Sequence, residues 1–226
     1  MLGNIFILGD SYSTFTGYIP DGYRAYYTPQ GPYYIAENSD LKLEKEQVCR
    51  VEQTWWYNLS KDYGVLIRNC SWSGTTICNT GYDGIDRSDV SFVGRMKKLI
   101  KEKYFDENRI HTFFLFGGTN DSWANSPLGD RLASDWKDAD LYNVFPAFSY
   151  LINLLVSELP ETKIYCILND ELKSEIKEFY KIISERNGVD VIELYNIDKI
   201  NRHPTIKGMS EIREQVVAFL KSKQRI

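Results

Sequence analysis

Histidine is scarce in this chain. There are two, His111 and His203, among 226 residues. Cysteine is limited to Cys49, Cys70, Cys78 and Cys166, and no two of them form a CxxC pair. With so few nitrogen and sulfur ligands a zinc site is not expected, and the thiols read as buried and unpaired. No apolar run reaches the ~18 residues that a membrane-spanning helix needs. Basic residues are in no excess: 27 Lys and Arg against 31 Asp and Glu leave a net charge of −4, which offers no footprint for nucleic acid. Residues 1–8 lack the basic segment and cleavage site of a secretory signal, so the cytoplasm is the expected location. Repeats, low-complexity tracts and linker-like stretches are missing as well. A single α/β domain over residues 1–226 is therefore the simplest organisation, and the chain is long enough to bury a substantial core.

What the chain does have is aromatic residues, with 16 Tyr, 11 Phe and 5 Trp. It also alternates two hydrophobic periods. Short apolar runs at 4–8, 65–69, 112–116, 163–168 and 189–194 read as buried strands. Between them lie helical stripes: Phe145, Phe148, Ile152, Leu155 and Leu159; Leu172, Ile176, Phe179 and Ile183; Met209, Ile212, Val216 and Leu220. Residues 53–62 and 93–104 are shorter helical candidates. Strand–helix alternation predicts a five-stranded parallel sheet covered on both faces, a three-layer α/β/α sandwich of flavodoxin-like type. Ligands in such sheets sit beyond the carboxyl ends of the strands. Two stretches are too long for simple connections: the tyrosine-rich 14–46, and 119–141 with Trp123 and Trp136.

The turns after the strands carry the chemistry. The first strand ends in Gly9-Asp10-Ser11-Tyr12-Ser13, which presents a serine hydroxyl at the sheet edge beside free backbone N–H groups. The second leads into Ser71-Trp72-Ser73-Gly74-Thr75, where Gly74 offers an unobstructed N–H. The third ends in Gly117-Gly118-Thr119-Asn120-Asp121, and the Asn120 amide is a neutral donor suited to a developing oxyanion. Near the end comes His203-Pro204, with proline at the start of the last helix. His111 opens a strand at the opposite edge. If Ser11 is a nucleophile, His203 is nearly forced as its base.

These four motifs, in this order and spanning almost the whole chain, resemble blocks I, II, III and V of the SGNH-hydrolase (GDSL-type esterase) superfamily. The resemblance implies a serine esterase that needs no cofactor. It implies Ser11 as nucleophile, His203 as base, and an oxyanion hole made of the Ser11 N–H, the Gly74 N–H and the Asn120 side chain. One position departs. The family typically carries an aspartate three residues before the histidine, and here that residue is Ile200. Asp198, Asn201 or a backbone carbonyl is left to orient the imidazole, with Asp198 the expected choice.

Asp10, Tyr12, Trp72 and Trp123 are the expected substrate-binding residues, beside an aromatic-lined groove that suits a sugar ring or a planar acyl group. The expected partner is a small-molecule or carbohydrate ester, with an O-acetyl group favoured. Three other readings stand beside it. The missing aspartate allows a non-catalytic or weakly active binding relic of the fold. The hydroxyl-rich residues 11–17 allow a flavodoxin-like cofactor loop. The aromatic loops allow a protein-interaction surface.

Overall fold

The computed structural model describes residues 1–38 and 40–226; Ser39, inside the expected loop 14–46, lies outside the described residues. Five strands form the central sheet: β1 (Gly3–Gly9), β2 (Gly64–Ser71), β3 (Thr112–Phe116), β4 (Lys163–Leu168) and β5 (Asp190–Glu193). Their spatial order is β2-β1-β3-β4-β5 and every pairing is parallel. Each matches an apolar run within one or two residues. Parallel strands buried on both faces must be apolar throughout, and that makes them conspicuous in a sequence.

Successive side chains of a strand point to opposite faces, and the two cores follow that alternation. Phe6, Leu8, Phe113 and Leu115 face one layer, with α2 (Phe92–Lys101), α3 (Val144–Glu158) and α4 (Ser174–Arg186). Ile5, Ile7, Phe114 and Phe116 face the other, with α1 (Trp55–Tyr63) and α5 (Ile206–Ser222). Trp55 and Trp56 are fully buried in this second layer. The α5 stripe Met209, Ile212, Val216 and Leu220 is buried throughout. Thr205 caps that helix, its hydroxyl accepting from the Gly208 N–H at 3.1 Å. Pro204 is thus not the first helical residue, as expected, but lies ahead of the cap in a two-residue strand.

The register aligns three strand ends. Gly9 pairs with Ser71 on one side and Phe116 on the other, so the turns after β1, β2 and β3 emerge at one level. After β5 the chain returns toward this edge through a small antiparallel hairpin, Lys199–Ile200 against His203–Pro204. His111 sits at the opposite edge, accepting from the Asn4 N–H at 3.0 Å. The two expected loops are partly regular. Residues 14–46 hold the strand pair Tyr27–Thr28 and Gly31–Pro32, and residues 119–141 open with the one-turn helix Thr119–Trp123. Among the described residues no helix is long and apolar enough to cross a membrane.

Candidate active site

Asp10 leads out of β1 and caps the short turn Ser11–Ser13; its Oδ1 accepts from the Tyr12 N–H at 3.1 Å. The turn holds the Ser11 hydroxyl against the ring of His203, with Oγ and Nε2 3.0 Å apart. These two residues lie 192 positions apart in the chain. On the far side of the ring, Nδ1 lies 3.0 Å from the carbonyl oxygen of Asn201. A carbonyl can only accept, so Nδ1 carries the proton and Nε2 presents its lone pair to the serine hydroxyl. Asn201 and Arg202 both have left-handed backbone, with φ of 48° and 65°, and this tight reversal aims the carbonyl back at the ring.

The expectation for Asp198 is not met. Its Oδ2 accepts from the Thr205 hydroxyl, and its N–H donates to Glu211 Oε2 at 2.8 Å. The hairpin that presents His203 turns Asp198 toward the start of α5, where its carboxylate braces the helix cap. The group that meets Nδ1 is the backbone carbonyl of Asn201. Aromatic rings complete the enclosure of the imidazole. Tyr26 stacks flat on it at 3.5 Å with 7° between planes, and Tyr12 and Trp123 approach at 5.6 Å on steep angles. Burial pushes the imidazole down to about 4, against the upward pull of the Asn201 carbonyl.

Asn120 stands at the start of the one-turn helix after β3. The preceding Gly118 has φ +94°, and a Cβ there would meet the Tyr180 ring at 2.7 Å, so only glycine fits. The Asn120 Oδ1 accepts from the Tyr82 hydroxyl at 2.8 Å, which fixes the amide's orientation. Its Nδ2 donates one hydrogen to the Thr75 carbonyl at 3.0 Å and keeps the other for the cavity. Gly74 also has positive φ, at +78°. Among the described residues, the N–H groups of Ser11 and Gly74 donate to no other protein group.

Ser11, Gly74, Asn120 and His203 line one cavity of about 500 Å³. Trp72 and Trp123 line it too, as expected. Asp10 and Tyr12 do not: both are wholly buried beneath the site. Asp10 is spent on the turn, and the Tyr12 hydroxyl donates to the Arg202 carbonyl at 2.5 Å. The hydroxyls of the 11–17 segment are likewise engaged within the protein. Ser13 Oγ accepts from Trp55 Nε1 at 3.1 Å, and Thr14 Oγ1 accepts from the Tyr26 N–H at 2.8 Å. They do not form a phosphate cradle.

Other residues of the site carry no motif. Arg24, Tyr26, Tyr33, Tyr82, Asp83 and Arg87 line the same cavity. Arg95 lies fully buried beneath it, donating to the carbonyls of Gly9 and Cys70 and to the Thr75 hydroxyl. It thereby ties the ends of β1 and β2 to the Gly74 turn. The one trace of it in the sequence is its place on the apolar stripe Phe92, Met96 and Leu99 of α2.

The sequence profile of the GDSL-like lipase/acylhydrolase family matches residues 3–220. The chain belongs to this family. Two solved structures described as GDSL-like lipases resemble this family member over nearly their whole lengths. One, from Bacteroides ovatus, is 41% identical with a TM-score of 0.84, over 98% of this chain and 99% of the other. The second, from Bacteroides uniformis, is 37% identical with a TM-score of 0.83, over 99% and 96%. An acetyl xylan esterase from Butyrivibrio proteoclasticus shares the fold at 16% identity and a TM-score of 0.56, over 98% of this chain and 64% of that one. No curated protein matches the chain. The GDSL-like chain is thus an esterase built on the five-stranded parallel sheet expected from its sequence, and the family typically pairs a serine nucleophile with an oxyanion hole.

Proposed function

We propose that this esterase cleaves a carboxylic ester through an acyl-enzyme, with Ser11 as nucleophile and His203 as general base. The observation that carries this reading is the 3.0 Å contact between Ser11 Oγ and His203 Nε2, with the other ring nitrogen engaged by a carbonyl. As Oγ attacks the ester carbonyl, its proton passes to Nε2. The carbonyl π electrons move to oxygen, and that oxyanion is met by the N–H groups of Ser11 and Gly74 and the free Nδ2 hydrogen of Asn120. The imidazolium returns its proton to the departing alcohol. Water then repeats the sequence on the acyl-serine, releasing the acid and restoring the hydroxyl. This scheme also answers the binding-relic reading, which rested on the missing aspartate, because a carbonyl already fixes the tautomer that a triad carboxylate would fix.

The substrate class we propose is an O-acetyl ester on a carbohydrate. The cavity walls combine aromatic rings, Trp72, Trp123, Tyr26 and Tyr33 among them, with hydroxyl and guanidinium donors. That mixture suits a sugar better than an acyl chain. The acetyl xylan esterase that shares the fold acts on an ester of this class. Purified protein offered acetyl, butyryl and longer 4-nitrophenyl esters alongside acetylated sugars should favour acetyl, and Ser11→Ala should abolish turnover. Undiminished hydrolysis by Ser11→Ala would refute the mechanism, and a preference for long acyl chains would refute the substrate.

A further inference from the structure

Residues 201–204 are held in an unusual way. Four consecutive residues are each gripped by a different tyrosine. Asn201 Nδ2 donates to the Tyr34 hydroxyl at 3.0 Å. The Arg202 carbonyl accepts from the Tyr12 hydroxyl at 2.5 Å. The His203 ring lies flat against Tyr26 at 3.5 Å. The Pro204 carbonyl accepts from the Tyr27 hydroxyl at 2.9 Å. All four tyrosines come from the segment between β1 and α1, three of them from residues 26–34 and the fourth from the Ser11 turn itself. The segment is anchored in its own right: the Tyr26 N–H donates to Thr14 Oγ1 at 2.8 Å, and Gln47 Nε2 donates to the Tyr34 hydroxyl at 2.9 Å.

We propose that this tyrosine clamp, with Tyr34 and Tyr26 as positioning residues, holds His203 in its working orientation in place of a carboxylate. The inference rests on the Ser11–His203 mechanism above. Its logic is geometric. The group that orients Nδ1 is a backbone carbonyl on a left-handed turn, and a carbonyl is only as fixed as the peptide that bears it. Tyr34 fixes that peptide through the Asn201 side chain, Tyr12 fixes the next, and Tyr27 the one after the imidazole. Tyr26 removes the remaining freedom, rotation of the ring out of its plane, by covering one face. The hydroxyls act at the backbone and the ring acts at the imidazole, so the two kinds of contact are separable by mutation.

The groups facing the imidazole are Ser11 and Tyr12 from the first turn, Tyr26 from the clamp and Trp123 from the one-turn helix. On its own segment, Arg202 lies over Trp123 at 5.6 Å and Asp198 is turned to Thr205. Burial therefore dominates the acid–base balance of His203. Any variant that admits water to the ring should move the acid limb of kcat/KM upward, toward the ordinary imidazole value of about 6.5.

The test uses the full chain with 4-nitrophenyl acetate and a fluorophosphonate probe. Tyr34→Phe removes the hydroxyl that accepts from Asn201 and from Gln47 and keeps the ring. It should lower kcat about tenfold, leave KM within about twofold, slow fluorophosphonate labelling in parallel, and raise the acid limb. Tyr26→Leu should raise the limb further, and Tyr26→Phe, which keeps the stack, should restore it. A merely structural role would lower the fraction of sites that react with the probe without moving the limb. Wild-type kcat and pH profile in Tyr34→Phe would overturn the clamp while leaving the hydrolase reading intact. A wild-type protein that neither turns over the ester nor takes the probe would overturn both. Should Tyr26→Leu fail to fold, the Tyr34→Phe profile decides the matter alone.

Discussion

His203 is enclosed by Tyr26, Tyr12 and Trp123 and faces no carboxylate, so it is a weak base. In the proposed mechanism its working form is neutral, and burial lowers its proton affinity to about pH 4. Activity should therefore survive well below the range in which an ordinary imidazole is lost. The acid limb of kcat/KM is expected near pH 4, measured as acid released under conditions where the fold persists. A limb near 6.5 would show that the imidazole is far wetter than its surroundings here imply. Ile200 offers the complementary experiment. It pairs directly across the hairpin with His203, and directly opposed residues place their Cβ atoms about 5 Å apart. In Ile200→Asp a carboxylate comes within reach of the ring and favours the imidazolium, so the limb should move upward. An unmoved limb would mean that the new side chain points away.

At the scale of elements, the site is three strand ends and one returning hairpin, and these differ in how openly the sequence declares them. β1 and β3 are legible because burial on two faces forces apolar runs and the glycines at their ends mark turns, whereas β2, at the sheet edge with Val65 and Ile67 exposed, is legible only as a short apolar run. Ser11, Gly74 and Asn120 follow from the turns after those strands, and His203 from the scarcity of histidine, with His111 at the opposite edge. The segment 76–91 passes unnoticed as a long connection, because its order comes from single distant contacts rather than a periodic pattern. The Asp121 carboxylate accepts from the N–H groups of Ile77 and Cys78, and the Thr80 hydroxyl donates to the Tyr142 carbonyl at 2.7 Å. The orienting carbonyl of Asn201 is invisible for another reason: a backbone group has no side-chain signature. Tyr82, from this unnoticed segment, is the element-scale test. Asn120→Ala deletes the proposed oxyanion donor and should lower kcat about a hundredfold or more, some 3 kcal/mol. Tyr82→Phe leaves the amide in place but frees its Oδ1, so kcat should fall by about tenfold with KM little changed. Equal losses in the two variants would assign Tyr82 a chemical part of its own.

At the scale of the molecule, Asp10 beneath the site and the half-buried His203 within it pull stability in opposite directions. Asp10, wholly buried, is pushed up to about 7, chiefly by desolvation and against the help of the Tyr12 N–H and Arg95. In the unfolded chain it ionises near 3.8, so its contribution is fully present below that pH and is lost as pH rises through about 7. His203 runs the other way. With its proton affinity lowered from 6.5 to about 4, its contribution is present above 6.5 and is lost as pH falls through about 4. Between about pH 4 and 6.5 the two slopes nearly cancel. Asp10→Asn removes one of them. The amide oxygen still accepts from the Tyr12 N–H, but the NH₂ takes the place of Oδ2, which has no partner, and this costs a constant 1–3 kcal/mol or about that. The constant does not enter the slope. Urea denaturation from pH 4 to 8 should therefore show the variant gaining on the wild type as pH rises to 7, by up to about 4 kcal/mol in all. Curves that stay parallel across that range would mean that Asp10 is ionised in the folded protein, and that Arg95 neutralises it.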